Sequence, residues 1–372
     1  MRSYARLAGA LLLPLAFLLD AGDARSALAQ AWPPFVLVTG LLLIGLVAGR
    51  DGLFDAAAAR IVRIPGPSVL LASACFALVS VVTALLNLDT AVVFLTPVLI
   101  GAARRRGLEA GPFLYGSVFM ANASSLFLPG SNLTNLLVLA PQTVSGARFF
   151  SHMLPAALAA TVLTAAGLLV LHRQSLRGGG RRAADLPVAP LRLGLGLGGA
   201  LVAAALIVIL SDQQLAAIAV LALGIGLLGV RVAQRRLELR ATLSWLDVPV
   251  LVSLLGLAVA LGSLARASAF PADAMHSASA PLTAAIAALA SVLVNNLPAA
   301  VLLSRGAHAH LSALLIGLDV GPNLAVTGSL AVLLWWRAAR AAALTPSAIA
   351  YSRQGLLLAP LALVGALVIG GG

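Results

Sequence analysis

Long apolar stretches recur almost without pause along this chain, at about 6–19, 34–49, 67–86, 90–103, 112–141, 152–172, 193–211, 215–230, 246–265, 282–304, 311–336 and 346–370. A helix needs about 20 predominantly apolar residues to cross the hydrocarbon core of a bilayer. A soluble core has no use for so many such runs. Of the 372 residues, 61% are hydrophobic and 10% are charged, whereas a soluble domain carries about 25% charged residues. In lipid only helices and closed barrels satisfy every backbone polar group. The pattern predicts an all-α polytopic membrane protein.

The net charge of +12 does not point to nucleic acid. The basic residues are all arginine, sit in short clusters between apolar runs, and have no interleaved aromatics for base stacking. That is the pattern of cytoplasmic loops under the positive-inside rule. The one cysteine, Cys75, excludes an intramolecular disulfide and any three-thiolate metal or metalloid site within one chain. His308 and His310 read as solvated loop residues, as do His152, His172 and His276 at span ends. No metal site, cofactor site or enzymatic site is expected.

Arg60 and Arg63 precede the run 67–103, and Arg104, Arg105 and Arg106 follow it. Both flanks belong on the cytoplasmic side, so the segment enters and leaves on one face. Its polar centre, Asn87-Leu88-Asp89-Thr90, is read as the tip of a re-entrant helical hairpin inside the protein. With a cytoplasmic N-terminus, the clusters Arg173–Arg192, Arg231–Arg240 and Arg337/Arg340 then also fall inside. About nine full spans and two hairpins result, with the C-terminus outside. Arg305 falls at the outer face, in a snorkelling role. The amino end has a second reading. Arg2, Arg6, the apolar run to Leu19 and Ala27-Leu28-Ala29-Gln30-Ala31 resemble a cleavable signal peptide.

The chain also repeats itself. Leu85–Leu95 lies over Leu293–Leu303, and each is followed by a long apolar span interrupted in its middle, at Pro129–Asn132 and at Val326–Ser329. The first copy starts from outside and the second from inside, so the repeats are inverted. Each half holds a re-entrant hairpin and a broken transmembrane helix, the architecture of secondary transporters. The expected division is 1–33 as an N-terminal helix or signal-like segment, 34–172 as the first transport repeat, 173–245 as a basic linker with connecting helices, and 246–372 as the second repeat.

Of the 12 acidic residues, Asp89 and Asp319 alone fall at membrane depth, one per repeat. An intramembrane carboxylate is costly and marks a functional site by default; both are candidates for proton coupling. A structural role is the alternative: Asp89 as the cap of a half-helix beginning at Thr90, or Asp319 bonded to nearby backbone. Around them stand neutral polar groups, Asn87, Thr90, Asn122, Ser131, Asn132, Thr134 and Asn135 in the first half and Asn295, Asn296, Asn323, Thr327 and Ser329 in the second. Broken helices free backbone donors and acceptors alongside such side chains. Together they suit a small polyhydroxy solute or a cation held by carbonyls. Helix–helix bonding is the alternative for Asn122, Thr134 and Asn135.

Several of these segments resemble arsenite/antimonite efflux permeases, members of the ion transporter superfamily. They are Asp89-Thr90-Ala91 through Thr96-Pro97, Ser131-Asn132-Leu133-Thr134-Asn135, Val294-Asn295-Asn296-Leu297-Pro298, and Ile316-Gly317-Leu318-Asp319-Val320-Gly321-Pro322 through Gly328-Ser329-Leu330-Ala331 and Leu333-Leu334-Trp335. The resemblance runs from about residue 35 to the end. It implies proton-driven efflux of trivalent arsenic or antimony hydroxides across the cytoplasmic membrane, in some members with a soluble ATPase partner, and often a homodimer in the lipid. The sequence departs from the family pattern at three places. Leu88-Asp89-Thr90 replaces Asn-Asp-Gly, Asn122 stands where an Asp is expected, and Asn323 stands where a Lys is expected.

The same superfamily holds citrate and dicarboxylate carriers and sodium/proton antiporters, so both remain alternatives, with sodium as the coupling ion. An intramembrane aspartyl protease is a remote alternative. Leu88 and Leu318 precede the two aspartates where such proteases have Tyr or Gly, and a protease leaves the repeat unexplained.

Overall fold

A computed structural model of the chain describes residues 2–142, 144–177, 194–235, 237, 248–267, 275–304 and 308–370. The arginines Arg181, Arg182, Arg192, Arg236, Arg240 and Arg305, and most of the expected linker, lie outside the described residues.

Among the described residues the regular structure is all helical. The first half contains α1 (Arg2–Leu19), α2 (Ala21–Arg50), α3 (Leu53–Arg63), α4 (Ser68–Leu85), α5 (Leu88–Arg105), α6 (Gly111–Ala123), α7 (Leu133–Leu139) and α8 (Gly146–Leu171). Then follow α9 (Leu195–Ile209), α10 (Gln213–Ala233), α11 (Val248–Ala267), α12 (Ala280–Val294), α13 (Asn296–Leu303), α14 (Leu311–Val320), α15 (Leu330–Ala341) and α16 (Ala348–Gly370). Six of these are long and apolar enough to cross a membrane: α2, α4, α8, α10, α11 and α16. Helix α2 starts where the Asp20 side chain accepts from Gly22 N and Asp23 N. It runs on through Pro33 and Pro34, across the boundary expected at 33/34. Leu356, Leu357, Leu361, Val364 and Val368 on α16 and Leu158, Val162 and Val170 on α8 are exposed. Such a surface is an aggregation hazard in water and a requirement in lipid. The chain is a multi-pass integral membrane protein.

The packing repeats the sequence symmetry. Helices α4 and α5 form one hairpin and α12 and α13 the other; α6/α7 and α14/α15 are the broken spans. Equivalent elements pair with each other, α2 with α11 and α8 with α16. Within each half the first hairpin arm packs on the helix before the break, α4 on α6 and α12 on α14. Across the halves the second arm packs on the helix after the other break, α5 on α15 and α13 on α7. The two inverted repeats therefore interlock, and each supplies one wall of the other's interior.

The hairpin tips are built by asparagine. At the first, Asn87 Oδ1 accepts from Thr90 N at 2.7 Å, so the helix begins at Leu88 and Asn87 is its cap. Asp89 is not the cap, because the shorter reach from position i to N3 is already taken by the Asn87 amide. At the second, Asn295 sits at φ 79°, a conformation few non-glycine residues adopt. It is held there by its Nδ2 donating to Thr327 O at 3.1 Å and its Oδ1 accepting from Leu297 N at 3.3 Å. Asn296 N donates to Gly328 O at 2.9 Å. The loop of the second break thus clamps the tip of its own hairpin.

Both breaks start earlier than the sequence pattern predicts. The first opens at Ser124, with short 3-10 turns over Ser124–Leu126 and Pro129–Ser131. There the Ser125 hydroxyl donates to Asn122 O at 2.8 Å and the Ser124 hydroxyl to Ser80 Oγ at 2.8 Å, drawing the turn out of the helical ladder. The second opens at Gly321 as a 3-10 turn, Gly321–Leu324, because Pro322 has no N–H to continue the ladder.

Outside the hairpins, an ion pair among the described residues joins helices. Arg231 Nη2 on α10 lies 2.7 Å from both carboxylate oxygens of Asp51, the residue that ends α2. Asp51 Oδ2 also accepts from Gly196 N of α9 at 3.1 Å. The sequence pattern places Asp51 at a span end and Arg231 in a cytoplasmic cluster. In the fold they are 10% and 9% exposed and tie three helices together.

Candidate functional site

Where the two broken spans cross, their polar residues bond to each other across the repeat boundary. Asn122 Nδ2, at the end of α6, donates to Asn323 Oδ1 at 2.8 Å, and Asn323 Nδ2 donates to Phe119 O at 3.2 Å. Asn132 Nδ2 donates to Asp319 Oδ1 at 2.7 Å, while Asn132 Oδ1 caps α7 by accepting from Thr134 N at 3.0 Å. Asn135 Nδ2 donates to Ser125 O at 2.8 Å, and the Ser125 and Asn135 side chains also face the Asp319 carboxylate. Asn122, Asn132, Asn135, Asp319 and Asn323 are all buried. A buried amide left unpaired costs about 1–3 kcal/mol, and this reciprocal pairing avoids most of that cost. Asp319 Oδ2 and Asn135 Oδ1 still have no partner among the described residues.

A second feature is an inner cavity of 140 Å³. Its polar lining is Asp89 and Thr90 on the first hairpin and Arg337 on α15. The opposite wall is apolar, from Val38, Leu42 and Leu46 on α2 and Val250, Leu251 and Leu254 on α11. Leu133 and Leu330, the first residues of α7 and α15, border it too. The starts of both post-break helices therefore reach the same space. The Thr90 methyl is close-packed against Gly45 of α2, where a Cβ would lie 2.4 Å from Thr90 Cγ2. Thr90 Oγ1 and Asn87 Nδ2 are buried without a partner among the described residues. No described residue hydrogen-bonds to the Asp89 carboxylate, and no ion pair joins it to the exposed Arg337.

A third feature is an open groove of 600 Å³ at the second hairpin tip, bordered by Asn295, Thr327, Ser329, Leu293, Val294 and Trp336. Leu333 borders both the groove and the inner cavity. Ser329 Oγ, at the start of α15, has no partner among the described residues. Asn296 is buried behind this tip, and Ser131 Oγ bonds Ala84 O of the first hairpin at 3.3 Å.

The sequence-predicted residues thus fall in three adjoining places. Asp89 and Thr90 line the cavity, with Asn87 behind them. Asn122, Asn132, Asn135, Asp319 and Asn323 form the crossing, and Asn295, Thr327 and Ser329 flank the groove. Sequence reasoning missed the wall formed by α2 and α11, whose residues carry no polar signal. It also missed Arg337, although Leu330, Leu333, Leu334 and Arg337 follow the spacing of one helix face. Among the described residues no group of three or more His, Cys, Asp or Glu side chains could hold a metal ion. His152 and His172 are tied to neighbouring helices through Ser312 and Gln354, at 3.0 Å each.

Comparison with known proteins agrees with this architecture. The chain is similar in fold to the YdaH transporter of Alcanivorax borkumensis, described as having an unusual topology, with a TM-score of 0.54 and 15% identity over 99% of this chain and 96% of that one. No curated protein matches the chain. The profile of the citrate transporter family, CitMHS, matches residues 1–332. With inverted repeats, two helical hairpins and two crossed helix breaks, the chain is a secondary transporter and belongs to the citrate transporter family.

Proposed function

We propose that this secondary transporter exports a small uncharged polyhydroxy solute, arsenite or antimonite, across the cytoplasmic membrane in exchange for protons. The observation that carries the reading is the lining of the inner cavity. It offers one carboxylate against largely apolar walls, and its one cation, Arg337, is exposed. Ionised carboxylates are expensive to bring into such surroundings without paired cations. A neutral trihydroxide sheds less hydration, and Asp89 and the α15 N-terminus can meet its hydroxyls. The volume supports a single small molecule, since an apolar cavity of about 150 Å³ holds one benzene.

In this reading Asp89 is the coupling carboxylate. It borders the cavity without a fixed partner, so it is free to take up a proton on one side and release it on the other. Asp319 lies behind Asn132 and senses the cavity through that bond. The Asn122–Asn323 pair holds no exchangeable charge, which leaves the coupling to the two aspartates. Alternating access then moves a proton inward and the solute outward through the same space.

A second reading, proton- or sodium-coupled transport of citrate or a dicarboxylate, is favoured by the family match and by Arg337 at the cavity. One experiment separates the two. Everted vesicles are loaded with radiolabelled arsenite or radiolabelled citrate under an imposed pH gradient. Arsenite accumulation that collapses with the gradient supports the first reading. Citrate movement without arsenite movement replaces it with the second.

A further inference from the structure

A second cavity, of 300 Å³, lies next to the inner one along α5. Its lining includes Gly49, Phe54, Asp55, Phe94, Val98 and Arg105. Asp55 and Arg105 are exposed, so this outer space opens at the face that carries Arg104 and Arg105. The two cavities share two lining residues, Val93 and Phe94. The Phe94 ring stacks on Phe54 of α3, with centroids 5.3 Å apart and planes at 26°. The ring also lies against Gly49 of α2, where a Cβ would fall 2.8 Å from Phe94 Cε1 and 3.5 Å from Phe54 Cε2. A side chain on residue 49 would displace the ring. Phe94 therefore packs against a buried aromatic and a bare stretch of backbone, at the boundary of two spaces.

We propose that Phe94 is the gate between a vestibule open at the arginine-bearing face and the inner cavity that holds Asp89. Closed, it rests on Phe54 and Gly49. Rotation of the ring off Phe54 joins the two spaces and opens a route along α5 to Asp89. Aromatic stacking holds the closed state with a stabilisation small enough to be reversed during a transport cycle. The residue thereby sets which solutes pass by size, independently of what binds inside. The gate rests on the reading of the inner cavity as the transport site, and its test involves no solute, so either idea can fail alone.

The chain's own Cys75 is fully buried, so an introduced cysteine can be followed in the intact protein. Val98→Cys reports on the vestibule and Leu334→Cys on the inner cavity. Each is exposed to a charged, membrane-impermeant methanethiosulfonate in inside-out and right-side-out vesicles. Val98→Cys is expected to label quickly from one side whatever occupies position 94. Leu334→Cys is expected to label slowly, and Phe94→Ala to raise its rate about tenfold, equivalent to about 1.4 kcal/mol on the barrier. Gly49→Ala, which pushes the ring away, acts in the same direction. Fast labelling of Leu334→Cys with Phe94 intact overturns the gate, as does a rate unchanged by Phe94→Ala. Should Phe94→Ala also expose Cys75, the smaller change Phe94→Leu decides. A faster Leu334→Cys reaction with Cys75 protected supports the gate, and an unchanged one overturns it.

Discussion

Asn122 and Asn323, one from each broken span, are joined by a 2.8 Å hydrogen bond. They are also the two positions where the efflux-permease pattern leads one to expect Asp and Lys. The two positions thus meet as the two ends of one contact, an amide pair that carries no charge.

That contact predicts the outcome of charging it. Asn122→Asp alone leaves a buried carboxylate against an amide, and Asn323→Lys alone leaves a buried ammonium. Each should lower the melting temperature of the purified protein, because an uncompensated buried charge costs about 3–5 kcal/mol. The double variant should regain at least about 2 kcal/mol relative to the sum of the singles. Additive losses would show that the two residues do not act as a pair in the membrane.

The two aspartates should separate cleanly. Asp89 makes no hydrogen bond within the described structure, so Asp89→Asn should leave stability within about 0.5 kcal/mol while uncoupling transport from the pH gradient. Asp319→Ala removes the acceptor of Asn132 Nδ2, and stranding that buried amide should cost about 1–3 kcal/mol. Thermal unfolding and vesicle flux on the same preparations would read both. Gradient-driven flux that survives in Asp89→Asn would remove Asp89 from the coupling role.

The Asp51–Arg231 pair tests a different property. Arg231→Ala leaves Asp51 buried and unpaired, with an expected loss of about 3–5 kcal/mol. Replacing both, as Asp51→Leu with Arg231→Met, should be close to neutral because neither charge then needs desolvating. If the single and double variants lose the same stability, the pair is not what joins α2, α9 and α10.

How far the sequence reveals this protein follows from the range of each interaction. The hairpins, the breaks and the repeat are local: Asn87, Asn295, Pro322 and the apolar runs mark them in the chain itself. The partner of each polar residue is not local. Asn132 meets Asp319 and Asn122 meets Asn323 only because inverted halves cross, and a pattern of spacing carries no record of that crossing. The Asp51–Arg231 pair was hidden for the same reason, since both residues stand at helix ends where arginine normally marks a cytoplasmic loop. The cavity wall from α2 and α11 was hidden for another. A helix apolar on every side gives no sign of which face meets lipid and which meets a solute.

Arg337 can decide between the two solute classes. It borders the inner cavity on the same face of α15 as Leu330, Leu333 and Leu334, yet it is exposed and unpaired with Asp89. A neutral trihydroxide gains little from a guanidinium at the rim, so Arg337→Gln should leave its KM within about twofold, the effect of a change under 0.5 kcal/mol. A carboxylate solute would lose a charge-assisted hydrogen bond, worth about 1.5–3 kcal/mol, and its KM should rise by about tenfold or more. Measured with arsenite and with citrate on the same vesicles, an unchanged arsenite KM supports the uncharged-solute reading. A tenfold rise for citrate beside saturable citrate flux would instead make Arg337 a carboxylate anchor and the chain a carrier of organic acids.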